Sequence, residues 1–170
     1  MHDVLPPQIL DTAAFRRLMG QFATGVCVVS VNAPDDGAGD TMAGITVNSF
    51  VSVSLEPRLV CWSLGNASSQ FELWTEAPEF AISILAEDQK DLARRYAVRG
   101  SRELNPHDFV RTDRGLPIID GALGYLECRQ WSLYPAGDHT MVFGEVTGMH
   151  QATVGRPLTF YAGAFGQIVD

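Results

Sequence analysis

The sequence predicts a single, mainly β domain whose antiparallel strands form a closed or half-closed barrel, flanked by two or three helices. Three observations predict it. Segments rich in branched apolar side chains recur between short turns. No strand, Gly-rich loop and helix follow one another as a unit, which argues against a doubly wound parallel sheet. Two long alternating segments, ALGYLECRQWSLY and HTMVFGEVTGMHQ, flank a PAGD turn, the arrangement of paired neighbours in an antiparallel barrel.

The elements follow in order. DTAAFRRLMGQFATG opens on a cap at Asp11 or Thr12, and Phe15, Leu18, Met19 and Phe22 then fall on one helical stripe. Thr24 and Gly25 end that helix. VCVVSVNA reads as a buried strand closed by the PDDGAGD turn, a hairpin-type loop. GITVNSFVSVSLEPRLVCW, residues 44–62, reads as strand bent near Ser52, with Pro57 limiting its pairing. NASSQFELWTEAP is a short helix with Phe71 and Trp74 turned inward, and FAISIL is a short strand. AEDQKDLARRYAVR places Leu92, Ala93, Tyr96 and Ala97 on one side, with acids early and Arg late, as the helix dipole favours. A polar connection over 100–117 leads to the long hairpin, and PLTFYAGAFGQIV closes the chain. Five or six strands are expected.

At 170 residues, the chain is long enough for one real core. The net charge of −8, with Lys90 the one lysine, excludes the clustered cations that nucleic acid or an anionic membrane requires. The pairs Arg16–Arg17 and Arg94–Arg95 are expected to flank solvated faces. No apolar run approaches a membrane span, and MHDVLPPQILD lacks the pattern of a signal peptide. Cys27, Cys61 and Cys128 stand apart among apolar neighbours, as reduced, buried thiols of a cytoplasmic protein would.

Several chemistries lack their residues. No G-x-S-x-G elbow, Walker loop or H-x-E deaminase signature occurs. His2, His107, His139 and His150 show no metal-ligand spacing, so no metal site is expected. What stands out is neutral. Residues 46–54 interleave Thr46, Asn48, Ser49, Ser52 and Ser54 with apolar side chains, where a solvated strand face would carry charge. GNASSQ, residues 65–70, concentrates further small donors at a helix start, where backbone N–H groups suit an anion. Helix capping by Asn66 or Ser68 accounts for the same residues. Together the two stretches suit a long ligand, planar and amide-like at one end and phosphorylated at the other. Flavin mononucleotide has that shape, as does the flavin half of FAD.

FRRLMGQFATGVCVVSV, GITVNSFVSVSLEPRLV, ILAEDQKDLARRYA, GALGYLECR, GDHTMVFGEV and RPLTFYAGAF follow in this order over about residues 15–166. The series resembles the short-chain flavin reductase-like domain family, whose members are often the reductase components of two-component flavin-dependent monooxygenases. The resemblance implies one domain over 1–170, a split β-barrel of Greek-key, FMN-binding type with flanking helices, and a homodimer. It implies hydride transfer from NADH or NADPH to FMN or FAD, with the reduced flavin passed to a monooxygenase partner. By the same resemblance Thr46, Val47, Asn48, Ser49 and Phe50 line the isoalloxazine and ribityl chain. Asn66, Ser68 and Ser69 hold the phosphate end, and His139 stands near the nicotinamide; Asp138 is placed to fix its tautomer or, equally, to form the turn at the strand start.

Position alone equally allows His139 to be a turn, core or dimer-contact residue. Many relatives carry a basic residue where this chain has NASSQ, which leaves Lys90, Arg94 or Arg95 to meet the phosphate. Three other readings stay open, one of them a structural dimerisation domain. A pyridoxamine-phosphate-oxidase-like enzyme calls for a cluster of Arg and Lys. A non-catalytic flavin- or haem-binding split-barrel protein could use His139 or His150 as an axial ligand.

Overall fold

The computed structural model describes residues 11–33, 42–98 and 105–169. The predicted PDDGAGD hairpin loop and the start of the 100–117 connection lie outside the described residues, as does the N-terminal segment before Asp11. The first helix, α1 (Thr12–Met19), begins where the sequence places its cap: Asp11 accepts a hydrogen bond from the Ala14 N–H at 2.6 Å. Its apolar stripe does not enter a core. Phe15, Leu18, Met19 and Phe22 remain between 50% and 76% exposed. The helix is held at its end instead, where the Ala162 N–H donates to the Gly20 carbonyl at 2.7 Å.

Residues 42–65 form three strands rather than one bent strand: β3 (Met42–Val47), β4 (Val51–Leu55) and β5 (Arg58–Gly65). In chain order the other strands are β1 (Thr24–Gly25), β2 (Cys27–Asn32), β6 (Glu79–Ile84), β7 (Phe109–Arg111), β8 (Pro117–Ile119), β9 (Gly124–Ala136), β10 (His139–Gln151), β11 (Thr159–Tyr161) and β12 (Ala164–Gly166). The count exceeds the five or six expected because several of these are two or three residues long, too short to carry a periodic pattern.

Seven strands make one antiparallel sheet in the order β3-β2-β6-β9-β10-β5-β4. Its two edges are consecutive in sequence, joined only by Asn48, Ser49 and Phe50. In a flat sheet of this width the edges would lie about 29 Å apart. The link from Val47 to Val51 reaches about 14 Å at most. The sheet therefore curls back on itself, with its edge strands close but not paired to each other.

Inside the curl sits the main core, where Trp62 meets Trp74 edge-on at 6.0 Å between ring centroids and Phe80, Ile82, Cys128 and Val142 pack around them. Trp74 comes from α2 (Phe71–Glu76), so the inward pair Phe71 and Trp74 is as the sequence predicts. The outer face is covered over β2 and β6. The Ser30 hydroxyl donates to the Pro117 carbonyl, and the Ser83 hydroxyl accepts from the Ile119 N–H, which ties β8 onto the sheet. The third helix, α3 (Lys90–Ala97), buries Ala93 and Tyr96 in a second core with Val28, Leu85 and Leu158. Over β10, β5 and β4 the same outer face is open. Val51, Cys61, Phe143 and Ser132 form one row across it, and Tyr134 and Met141 stand in the next. All three cysteines are free and buried, and desolvation pushes the thiols of Cys27 and Cys128 up to about 12 and that of Cys61 up to about 11.

Candidate functional site

The curl leaves a cleft of about 700 Å³ along β3, within the usual range for a small-molecule site. Gly44 and Ile45 of β3 form its floor. The turn after β5 supplies Ser68, Ser69 and Gln70, and the start of β10 supplies His139 beside Asp138. The end of α3 adds Tyr96, Ala97 and Val98, and α1 adds Arg16. A smaller hollow of about 160 Å³ continues along the same strand, lined by Thr46, Val47, Asn48, Val26, Phe160 and Phe165. Ala97 borders both spaces. Phe160 and Phe165 meet edge-on across the β11–β12 hairpin at 5.4 Å.

The sequence-predicted residues divide between these spaces and their supports. Ser68, Ser69 and His139 share the large cleft, and Thr46, Val47 and Asn48 share the small one. The Thr46 hydroxyl donates to the Ala93 carbonyl at 2.8 Å, tying β3 to α3, and keeps its lone pairs for a further donor. Ser49 accepts from the Ser63 N–H at 3.0 Å, and Phe50 packs against the main core, so both belong to the link between the sheet edges.

Asn66 faces neither space. Its Oδ1 accepts from the Thr140 hydroxyl at 2.8 Å, its Nδ2 donates to the Gly137 carbonyl and its N–H to the Asp138 carbonyl. It fixes the β9–β10 turn to the β5 turn.

The expected free helix start is largely engaged. The N–H of Ser68 donates to Gly65, that of Gln70 to the Ser68 hydroxyl and that of Phe71 to the Ser68 carbonyl. The helix itself begins only at Phe71 and runs six residues, with no side-chain cap. Anion-binding capacity at this end therefore rests on the hydroxyl groups and on charge brought from elsewhere.

His139 is oriented. Its Nδ1 lies 2.8 Å from Asp138 Oδ1, and since a carboxylate only accepts, Nδ1 carries the proton and Nε2 is left toward Gly65. That hydrogen bond first, and the imidazole charge second, hold the Asp138 carboxyl below its usual range. Gly65 has no side chain to cover the ring: a Cβ there would stand 3.7 Å from Nε2. Thr24, paired with Phe160, keeps a buried hydroxyl without a partner among the described residues, near the end of the smaller hollow.

Sequence reasoning missed Arg16, the C-terminal end of α3 and the Phe160–Phe165 pair. The doubled aromatic in TFYAGAF was a visible signal for the last. Arg16 gave a weaker one, lying beside the apolar stripe of its helix rather than opposite it.

The shapes fit a flavin. An apolar and aromatic hollow edged by Asn48 and Thr46 suits a ring system, and the larger polar space with Ser68, Ser69 and His139 suits a phosphorylated tail and a second substrate. Fold and cleft together define a mainly β protein with a two-part, small-molecule-sized cleft along β3. Residues 19–169 match the flavin reductase like domain family, and the chain belongs to that family.

Among its relatives, it is 41% identical over 157 residues to the FMN reductase (NADH) SmoA of Agrobacterium fabrum, covering 92% of this chain and 86% of that protein. It is 32% identical over 158 residues to the flavin-dependent monooxygenase reductase subunit HsaB of Mycobacterium tuberculosis, covering 92% of this chain and 82% of that protein. The NADH:FAD oxidoreductase SgcE6 of Streptomyces globisporus, solved in complex with NAD and FAD fragments, superposes with a TM-score of 0.86 at 34% identity, covering 96% of this chain and 98% of that one.

Proposed function

We propose that this protein is an NAD(P)H-dependent flavin reductase that transfers hydride from NADH or NADPH to FMN or FAD and supplies the reduced flavin to a monooxygenase partner. The observation that carries the reading is the two-part cleft along β3 of a family member, an aromatic hollow over Thr46, Val47 and Asn48 that continues from a larger space holding an oriented histidine. Relatives named as reductase subunits of monooxygenases support the partner.

The flavin, when bound, supplies the electron sink, so the chain needs no catalytic triad. Its own residues position and stabilise. Thr46, Val47 and Asn48 line the ring and ribityl chain, and Ser68 and Ser69 meet the phosphate end. Ser49, Phe50 and Asn66 act through the backbone that they hold. His139, with its tautomer fixed by Asp138, orients the nicotinamide.

Two finer points complete the proposal. The curled sheet with unpaired edges is a split barrel of Greek-key type. The open outer face over β4, β5 and β10 joins two copies into a homodimer. Val51 of β4 and Tyr134 of the neighbouring β9 stand on that face and stay 49% and 66% exposed. Tyr134→Asp should convert the protein to monomer in sedimentation; an unchanged dimer places the contact elsewhere.

The reductase reading is tested by following the nicotinamide absorbance band while NADH or NADPH is mixed with FMN, FAD or riboflavin and the purified protein. Flavin-dependent oxidation with at least one pairing is expected. None with any pairing would falsify the reading.

A further inference from the structure

We propose that Arg16 is the cation that receives a phosphate of the nucleotide cofactor, from α1 across the cleft from Ser68 and Ser69. The inference rests on the flavin reductase reading and deepens it. NASSQ, which supplies the Ser68 and Ser69 hydroxyls, carries no Lys or Arg, and the other cations that the sequence offers are engaged elsewhere or lie outside the cleft lining. Arg94 pairs with Asp91 and Arg95 with Asp108, and neither borders the cleft. Among the described residues lining that space, Arg16 is the one Lys or Arg, and its guanidinium enters none of the ion pairs formed among the described residues.

Charge makes the need explicit. The chain carries −8 overall, and Asp138 adds a carboxylate at the same end of the cleft. A phosphate of about −1.5 to −2 charge can take hydrogen bonds from the Ser68 and Ser69 hydroxyls there, but they supply no countercharge. The nearby turn amides of Ser68, Gln70 and Phe71 are already donated. Arg16 is close enough to Asp138 to help hold its carboxyl below the usual range, after the larger effect of His139. Its field therefore already reaches this end of the cleft. A guanidinium also offers paired donors that match two phosphate oxygens, which a lone ammonium does not.

The phosphate could belong to the flavin or to the nicotinamide dinucleotide, and the experiment separates them. Quenching of flavin fluorescence measures binding of FMN and of riboflavin to wild type, Arg16→Gln and Arg17→Gln. Arg17 is the next residue on the same helix and lies outside the cleft lining.

Arg16→Gln is expected to weaken FMN about tenfold while riboflavin changes by less than about twofold and Arg17→Gln changes neither. If FMN is unchanged but KM rises for NADH and not for a phosphate-free dihydronicotinamide, the phosphate that Arg16 receives is that of the pyridine nucleotide. Equal loss of FMN and riboflavin, no change in either series, or the same loss in Arg17→Gln overturns the proposal. A wild-type protein that binds flavin but never oxidises NADH or NADPH would instead sink the reductase reading and leave the Arg16 titration interpretable.

Discussion

Helices α1 and α3 are alike on paper and opposite in use. Each has eight residues, each ends in two arginines and each borders the cleft. α3 is built in: Ala93 and Tyr96 are buried, and the Tyr96 hydroxyl donates to Asp108 at 2.6 Å and accepts from the Asn105 N–H at 2.9 Å. Arg95 pairs with Asp108 as well. α1 buries nothing, and Arg16 enters no ion pair among the described residues. An amphipathic stripe thus states that a helix has two sides, and says nothing of what lies against the apolar one. Where a helix is packed, its charges serve the fold; where it is not, they are available to a ligand.

The largest test of the contrast is truncation of the packed face. Tyr96→Ala should cost about 3–5 kcal/mol in urea unfolding, as for other large buried aromatic side chains. Leu18→Ser on α1 should cost under about 0.5 kcal/mol in dilute solution, as at other exposed sites. A larger loss for Leu18→Ser that grows with protein concentration would show α1 covered by a second copy. Comparable losses at both sites and all concentrations would break the comparison.

The smallest effect expected is at the exposed Asp138. Its carboxyl is held below the usual range, chiefly by the His139 hydrogen bond, so its contribution is present above the ordinary aspartate pKa and lost as pH falls through the lowered one. The difference in thermal midpoint between wild type and Asp138→Asn should be small and constant above about pH 4 and shrink below it. A difference that persists in stronger acid would assign the effect to geometry rather than charge.

The long β9–β10 hairpin, α2 and α3 were legible because each carries its signal locally: a turn between alternating segments, or apolar residues at helical spacing. The split of residues 42–65 was not. That β3 and β4 stand at opposite edges of the sheet is a fact of pairing with β2 and β5, which no pattern within the segment records. Ser68, Ser69 and His139 share one space because the β5 and β10 ends pair, His139 opposite Gly65, a meeting that the sequence did not announce. Asn66 was legible as important but not in its role, since its partners Gly137, Asp138 and Thr140 are remote in sequence. Arg16 and Phe160 come from opposite ends of the chain, and only the folded chain sets them beside β3.

The anchoring of Asn66 has a last consequence. With the β5 turn and the β9–β10 turn stapled together, the serines and the histidine form one rigid ruler, graduated in backbone rather than in side chains. On the proposed reading a cofactor would be measured against it: the span between its phosphate and its reactive ring would have to match a fixed interval. Any extra length of nucleotide has to hang outside that interval, and the site can then treat a short and a long flavin alike at the point where electrons move.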